Sequence, residues 1–153
     1  MPPAVVEKIR QTLGDRIKNL NIRSDRRVYI DIDAADLTYV ARYLFNNLGA
    51  RLATVSGMDT VKGFEVLYHF DFDSDNLIVS VRVLTPHDKA ELDSITPIIK
   101  GADFIEREIH DLLGINFRNH PDLRPLILPD DWPAGVYPLR QRRANKGSET
   151  ENA

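Results

Sequence analysis

Glu106, Glu108, His110 and Asp111 lie within the six residues 106–111, and His120 follows ten residues after His110. No other stretch of the chain gathers so many side chains that could do chemistry together. Glu106 and His110 stand four apart, so a helix sets both on one face, where His120 folding back would add a further metal ligand. Glu106, Glu108 and Asp111 offer carboxylates for acid–base work instead. Together these raise one reading: a free-standing metal-dependent enzyme using Glu106, His110, Asp111 and His120. Several features weigh against it. There is no second clustered histidine and no HExxH, while His69 and His87 belong to a strand and to the loop that ends it. Helical neighbours are not evidence of a cleft. A plainer account is a solvated helix face, with Arg107 and Asp111 at pairing distance i,i+4.

The element that must hold these side chains is a helix beginning near Asp103. Ile105, Ile109 and Leu112 fall at i, i+4 and i+7 as its apolar stripe. Asp103 reads as the N-cap, with Glu106 three residues later completing an acidic capping box. Gly114 stands where a left-handed residue ends a helix. Next come the short alternating run Ile115-Asn116-Phe117 and the turn Asn119-His120-Pro121-Asp122.

Upstream, Val6, Ile9 and Leu13 predict a helix closed by Gly14, and residues 17–22 an edge strand. Val28 to Ile32 alternates as a strand, with Asp33 as N-cap of the next helix. That helix carries Leu37, Val40, Ala41, Leu44, Phe45 and Leu48 on one face and ends at Gly49. Residues 51–56 read as a strand and residues 57–63 as a loop. Phe64, Val66, Tyr68, Phe70 and Phe72 then face one way along a half-buried strand. Leu77, Val79, Val81 and Val83 return beside it after the Asp73-Ser74-Asp75-Asn76 turn. The expected fold class is α+β: a mostly antiparallel sheet with one helix layer, followed by an extended Pro-rich C-terminal segment.

That division gives an α+β domain over residues 1–118, a docking segment over residues 119–140 and a disordered polar tail over residues 141–153. Pro121, Pro125, Pro129, Pro133 and Pro138 forbid helix and strand in the middle part. Yet Leu123, Leu126, Ile127, Leu128, Trp132, Val136 and Tyr137 are too apolar for a linker. Such a chain lies against an apolar surface, of its own domain or of another subunit, and its prolines favour the second. Trp132 is its natural anchor. Arg124 and Arg140 on this stiff backbone suit bidentate contacts to carboxylates.

Residues 28–140 carry a composite pattern. Glu106-Arg107-Glu108, Asp111-Leu112, Gly114-Ile115, Phe117 and His120-Pro121-x-Leu123-Arg124 form its centre. Ser94-Ile95-Thr96 and Ala102-Asp103-Phe104 precede it, and Trp132 and Pro138-Leu139-Arg140 close it. This resembles the signature of the 30 kDa subunit family of respiratory complex I, which also includes subunits of energy-converting, membrane-bound nickel–iron hydrogenases. His110, Arg124-Pro125 and the Leu128-Pro129-Asp130-Asp131-Trp132-Pro133 run resemble the hydrogenase-type branch more.

The resemblance implies a cofactor-free accessory subunit of an ion-translocating oxidoreductase, peripheral on the cytoplasmic side and touching the membrane only through the complex. Its partners would be the large hydrogenase-like (49 kDa-type) subunit and the small iron–sulfur subunit. Iron–sulfur clusters, and nickel–iron in the hydrogenase branch, would reside in those partners. Glu106, Arg107, Glu108, Asp111, His120, Pro121, Arg124, Trp132, Pro138, Leu139 and Arg140 would serve docking.

Composition agrees. The chain has no cysteine, so it lacks the thiolate ligands of a conventional cluster. It carries no P-loop and no GxGxxG for nucleotides. A net charge of −3 argues against nucleic-acid binding through the Arg140-Gln141-Arg142-Arg143 run. No apolar run approaches a membrane span.

Overall fold

The computed structural model describes residues 3–143. Helix α1 (Ala4–Leu13) leads through a 3-10 turn into β1 (Ile17–Ser24) and β2 (Arg27–Ile32). Helix α2 (Leu37–Arg42) continues as a π turn over Tyr43–Asn47 and precedes the meander β3 (Arg51–Thr60), β4 (Gly63–Phe72) and β5 (Leu77–Thr85). A short strand β6 (Glu91–Asp93), helix α3 (Asp103–Leu113) and β7 (Asn116–Arg118) follow. The five long strands form one sheet in the order β1-β2-β5-β4-β3, with β2 and β5 its one parallel pair. β6 and β7 make a separate parallel pair. The fold class is therefore α+β with a mostly antiparallel sheet, as the periodicities require.

Register explains why one face of the sheet is dry. Phe64, Val66, Tyr68, Phe70 and Phe72 lie opposite Thr85, Val83, Val81, Val79 and Leu77. Val28 and Ile30 extend the same row through their pairing with Val79 and Val81. The buried residues of α1 (Val6, Ile9, Leu13), α2 (Leu37, Val40, Ala41) and α3 (Ile109, Leu113) join that core. The other face is polar, with Arg82 bridging Asp31 and Glu65 across three strands.

Three local expectations need correction. Residues 57–60 belong to β3, not to a loop; Asp59 pairs with Phe64 and the turn is confined to Val61-Lys62. Gly57 is what lets this strand pass under α3. A Cβ there would come within 2.9 Å of the Leu113 side chain. Neither proposed N-cap caps. Asp33 pairs with Lys18 of β1, and α2 begins only after the 3-10 turn Ala34–Asp36. Asp103 is the first residue of α3, its carboxylate beside His120.

Candidate docking surface

Helix α3 lies between the sheet and the chain that follows β7. Its apolar side reaches β3, as expected. The side read as solvated is not exposed: Glu106 is 0 % accessible, Arg107 8 % and Asp111 4 %. Burial of three charges in one helix demands partners, since each unmet one costs several kcal/mol, on the order of 3–5. Every one of the three finds them in backbone groups of the same chain.

Glu106, instead of closing a capping box, reaches the loop after β6. Its Oε1 accepts from Ser94 Oγ (3.0 Å), Ile95 N (3.1 Å), Thr96 N (2.9 Å) and Thr96 Oγ1 (2.7 Å). Burial raises its carboxyl pKa, and these hydrogen bonds offset only part of that rise.

Arg107 and Asp111 do not pair with one another but clasp the Pro-rich segment. Arg107 donates to the carbonyls of Arg124 (3.0 Å) and Pro125 (3.2 Å). Asp111 Oδ2 accepts the consecutive amides of Leu126 (2.8 Å), Ile127 (2.8 Å) and Leu128 (3.2 Å). One carboxylate oxygen thus serves amides that a proline-broken chain cannot satisfy by helix or sheet.

The clasp continues towards the C-terminus. Leu139 N donates to Leu112 O (2.9 Å) and Arg140 Nε to Leu113 O (2.6 Å). These last carbonyls of α3 are orphaned by helix termination and are satisfied from the segment. The Arg140 guanidinium also stacks over Tyr137 and Phe64. Gly114 is obligatory here: its φ is +76°, and a Cβ would meet Tyr137 at 2.5 Å and Arg140 at 2.6 Å. Further on, the nearly inaccessible Asp59 carboxylate takes Gln141 N (2.8 Å), Arg143 Nη1 (2.9 Å) and His87 Nε2 (2.7 Å). We call residues 119–143 the strap.

The carboxylates of Asp111 and Asp59 are therefore the strap's fasteners. Burial pushes the Asp111 pKa up, but the three amides outweigh it and the net shift is downward. Arg143 chiefly, then Gln141 and His87, hold the Asp59 carboxyl far below the usual carboxylate range against its burial. Both folded pKa values are depressed, so the unfolded strap binds more protons in acid. The stabilisation is complete above the ordinary value of 3.8 and is lost as pH falls through the folded values beneath it. Amide proton shifts of Leu126, Ile127 and Leu128, followed by NMR, are expected to hold constant above about pH 5 and to collapse in stronger acid.

The other expected site residues scatter. Glu108 is exposed. His110 Nδ1 bonds Ile115 O (2.8 Å), closing the α3 C-terminus. His120 accepts the Asp122 amide at Nδ1 (3.0 Å), and its Nε2 lies 3.0 Å from Asp103 Oδ1. Pro121 and Pro138 are exposed, and Arg124 makes a surface pair with Asp122. Arg140 Nε donates to a carbonyl of α3. Glu106, His110, Asp111 and His120 each turn to a different partner. No group of three or more His, Cys, Asp or Glu among the described residues could hold a metal.

Sequence reasoning missed Asp59, because residues 57–60 looked like loop. It also read Arg143 as part of a solvated tail; the described start of that tail, Gln141 and Arg143, is held, and residues 144–153 lie outside the described residues.

The strap's backbone is turned to the domain while much of its apolar side-chain surface is not covered. Leu126, Ile127, Trp132, Val136 and Leu139 are all exposed, Ile127 and Leu139 by 54 % and Trp132 by 39 %. Trp132 Nε1 donates to Val136 O (2.8 Å), so the indole is locally fixed. Phe104 of α3 is exposed too, with the Arg107 guanidinium over its ring. No helix among the described residues is long and apolar enough to cross a membrane.

Known proteins share this frame. The family model described as respiratory-chain NADH dehydrogenase, 30 Kd subunit, matches residues 30–149. A subunit of the F(420)H(2) dehydrogenase of Methanosarcina mazei is 31 % identical over 140 residues, 90 % of this chain and 88 % of that protein. Hydrogenase-4 component G of Escherichia coli is 32 % identical over 92 % of this chain, which spans only 24 % of that longer protein. Among solved structures, a chain of a membrane-bound sulfane sulfur reductase, an archaeal respiratory membrane complex, superposes with a TM-score of 0.78 at 21 % identity. That likeness covers 89 % of this chain and 81 % of the other. The chain belongs to the respiratory-chain NADH dehydrogenase 30 kDa subunit family.

Proposed function

We propose that this chain is a cofactor-free accessory subunit of a membrane-bound, ion-translocating oxidoreductase of the complex I or energy-converting hydrogenase kind. It braces the large hydrogenase-like subunit and the small iron–sulfur subunit from the cytoplasmic side, and reaches the membrane only through them. Iron–sulfur clusters, and nickel–iron in a hydrogenase, belong to those partners; this chain has no cysteine to hold such groups.

The observation that carries the reading is the strap. Its backbone is clasped by buried charges of α3, while Leu126, Ile127, Trp132, Val136 and Leu139 stay uncovered. An apolar row on a pre-ordered backbone loses little entropy on docking, which is how rigid segments gain affinity. Family membership supports the reading independently.

The test is paired. Trp132→Ala is expected to leave the melting of the isolated chain nearly unchanged. It is expected to weaken association with the partner subunits by about 2 kcal/mol, roughly 30-fold in Kd. Wild-type affinity in the variant would remove Trp132 from the interface. A collapsed melt would mean that the indole serves this chain's own fold.

A further inference from the structure

The face of the sheet turned away from α3 and the strap has a cavity of its own. Tyr29, Ser80, His69 and Thr54 stand abreast on β2, β5, β4 and β3. The register of β3 slips between Leu52 and Thr54, the mark of a bulge, which bends a strand locally. At that place a cavity of about 250 Å³ is lined by Arg27, Tyr29, Thr54, His69, Ile78 and Ser80, with Ala53 beside them. His69 is its fixed wall. The imidazole Nδ1 bonds Ser80 Oγ (2.7 Å) and the Nε2 bonds Ser56 Oγ (3.1 Å), so both ring nitrogens are occupied. Burial first, and then the charge of Arg27, lower its pKa and favour the neutral ring.

The cations around this cavity are not all spent. Arg82 is bound to Asp31 and Glu65, and Arg51 to Asp71 and Asp73. Arg27, by contrast, makes no ion pair among the described residues. Neither does Arg23, whose guanidinium lies 5.5 Å from the centroid of the Tyr29 ring. The net charge of the chain is −3, so anions are not drawn to it generally, and two unpaired guanidiniums at one cavity are a local feature. The volume is under the roughly 300–1,000 Å³ of small-molecule pockets, and is of a size for a single side chain. Asp31, Glu65 and Asp71 stand on the same face and repel a doubly charged phosphate more than a singly charged carboxylate.

We infer that this cavity and its two arginines receive an acidic segment of a partner protein, one carboxylate entering beside Arg27 and another meeting Arg23. The guanidinium fork matches a carboxylate, and the hydroxyls of Tyr29 and Thr54 line up as further donors. A positive patch facing a negative one steers encounter and fixes register more than it adds affinity. The surface lies across the sheet from the strap, so it is a second docking face and does not depend on the first.

The test titrates the full chain with a hexaglutamate peptide at low ionic strength and follows amide signals by NMR. Those of Tyr29, Thr54, His69 and Ser80 are expected to shift, while those of Leu126, Ile127 and Leu128 stay in place. The double variant Arg23→Gln, Arg27→Gln is expected to bind the peptide about tenfold more weakly. Both positions are exposed, so it is expected to melt as the wild type does. Arg10→Gln, on the exposed side of α1, is the charge control and is expected to bind as the wild type does. No binding, shifts spread over the whole surface, or an equal loss in Arg10→Gln would overturn the site. Inorganic phosphate and a thymidine hexanucleotide give the last arm. Weaker shifts than those from hexaglutamate support a carboxylate-bearing segment; equal or larger shifts at the same four residues make the occupant a phosphate and overturn the proposal.

Discussion

Glu106→Ala is expected to cost this chain about 3–5 kcal/mol, a large share of the roughly 5–15 kcal/mol that holds a typical domain folded. The side chain is fully buried, and its Oε1 is the acceptor for two amides and two hydroxyls of residues 94–96. Alanine removes the acceptor from all four buried donors, of which the Thr96 amide alone keeps another, Ser94 Oγ, and makes a cavity besides. Glu106→Gln separates shape from charge. It keeps an acceptor oxygen facing residues 94–96 and removes a charge whose burial raises the carboxyl pKa. Glutamine is therefore expected to cost well under half of what alanine does. Denaturant unfolding of the three proteins measures both; equal losses would mean that the carboxylate charge itself is needed.

Asp111→Ala acts further along the same helix, on the strap and not on the core. The three amides it holds lose a charged acceptor, a loss worth about 1.5–3 kcal/mol per hydrogen bond before they turn to solvent. Because these amides bond to one carboxylate and belong to no sheet or helix, the damage is expected to be local. Hydrogen exchange at Leu126, Ile127 and Leu128 is expected to quicken on the order of 100-fold, with amides of β4 and β5 little changed. Association with the partner subunits falls as well, since a loosened strap must be ordered again on binding. Exchange that quickened uniformly over the sheet would instead place Asp111 in the folding core.

Much of the fold was legible because its signals are local. The alternation from Phe64 to Phe72 and the helical stripe from Leu37 each state a period; the structure keeps the first throughout and the second as far as Arg42, where a π turn takes over. What escaped was set by tertiary context. The charges of α3 match the pattern of a solvated face, and no periodicity discloses that a strand-free, proline-interrupted chain lies over them. Residues 57–60 carry a glycine and an aspartate typical of turns, yet the room that Gly57 leaves for Leu113 and the grip of Asp59 on the strap make them a strand. Asp33 and Asp103 stand in capping positions, but Lys18 and His120 draw their carboxylates elsewhere. The composite motif includes Glu106, Arg107, Asp111 and Arg140, whose side chains the structure turns to backbone groups of the same chain. Which of them faces inward, clasping backbone, and which outward, depends on distances that sequence does not record.

In the proposed role, the strap's outward face meets a partner while its backbone stays clasped to α3. Trp132 is the chain's single tryptophan, so labelling this subunit alone with 5-fluorotryptophan yields one fluorine-19 signal from the strap. That signal is to be recorded for the free chain and after assembly with the large and small subunits, with co-elution proving that assembly occurred. A shifted signal is expected in the complex, with the loss of its solvent-isotope effect, because the indole leaves water. A co-eluting complex whose fluorine signal keeps the shift and solvent response of the free chain would contradict it.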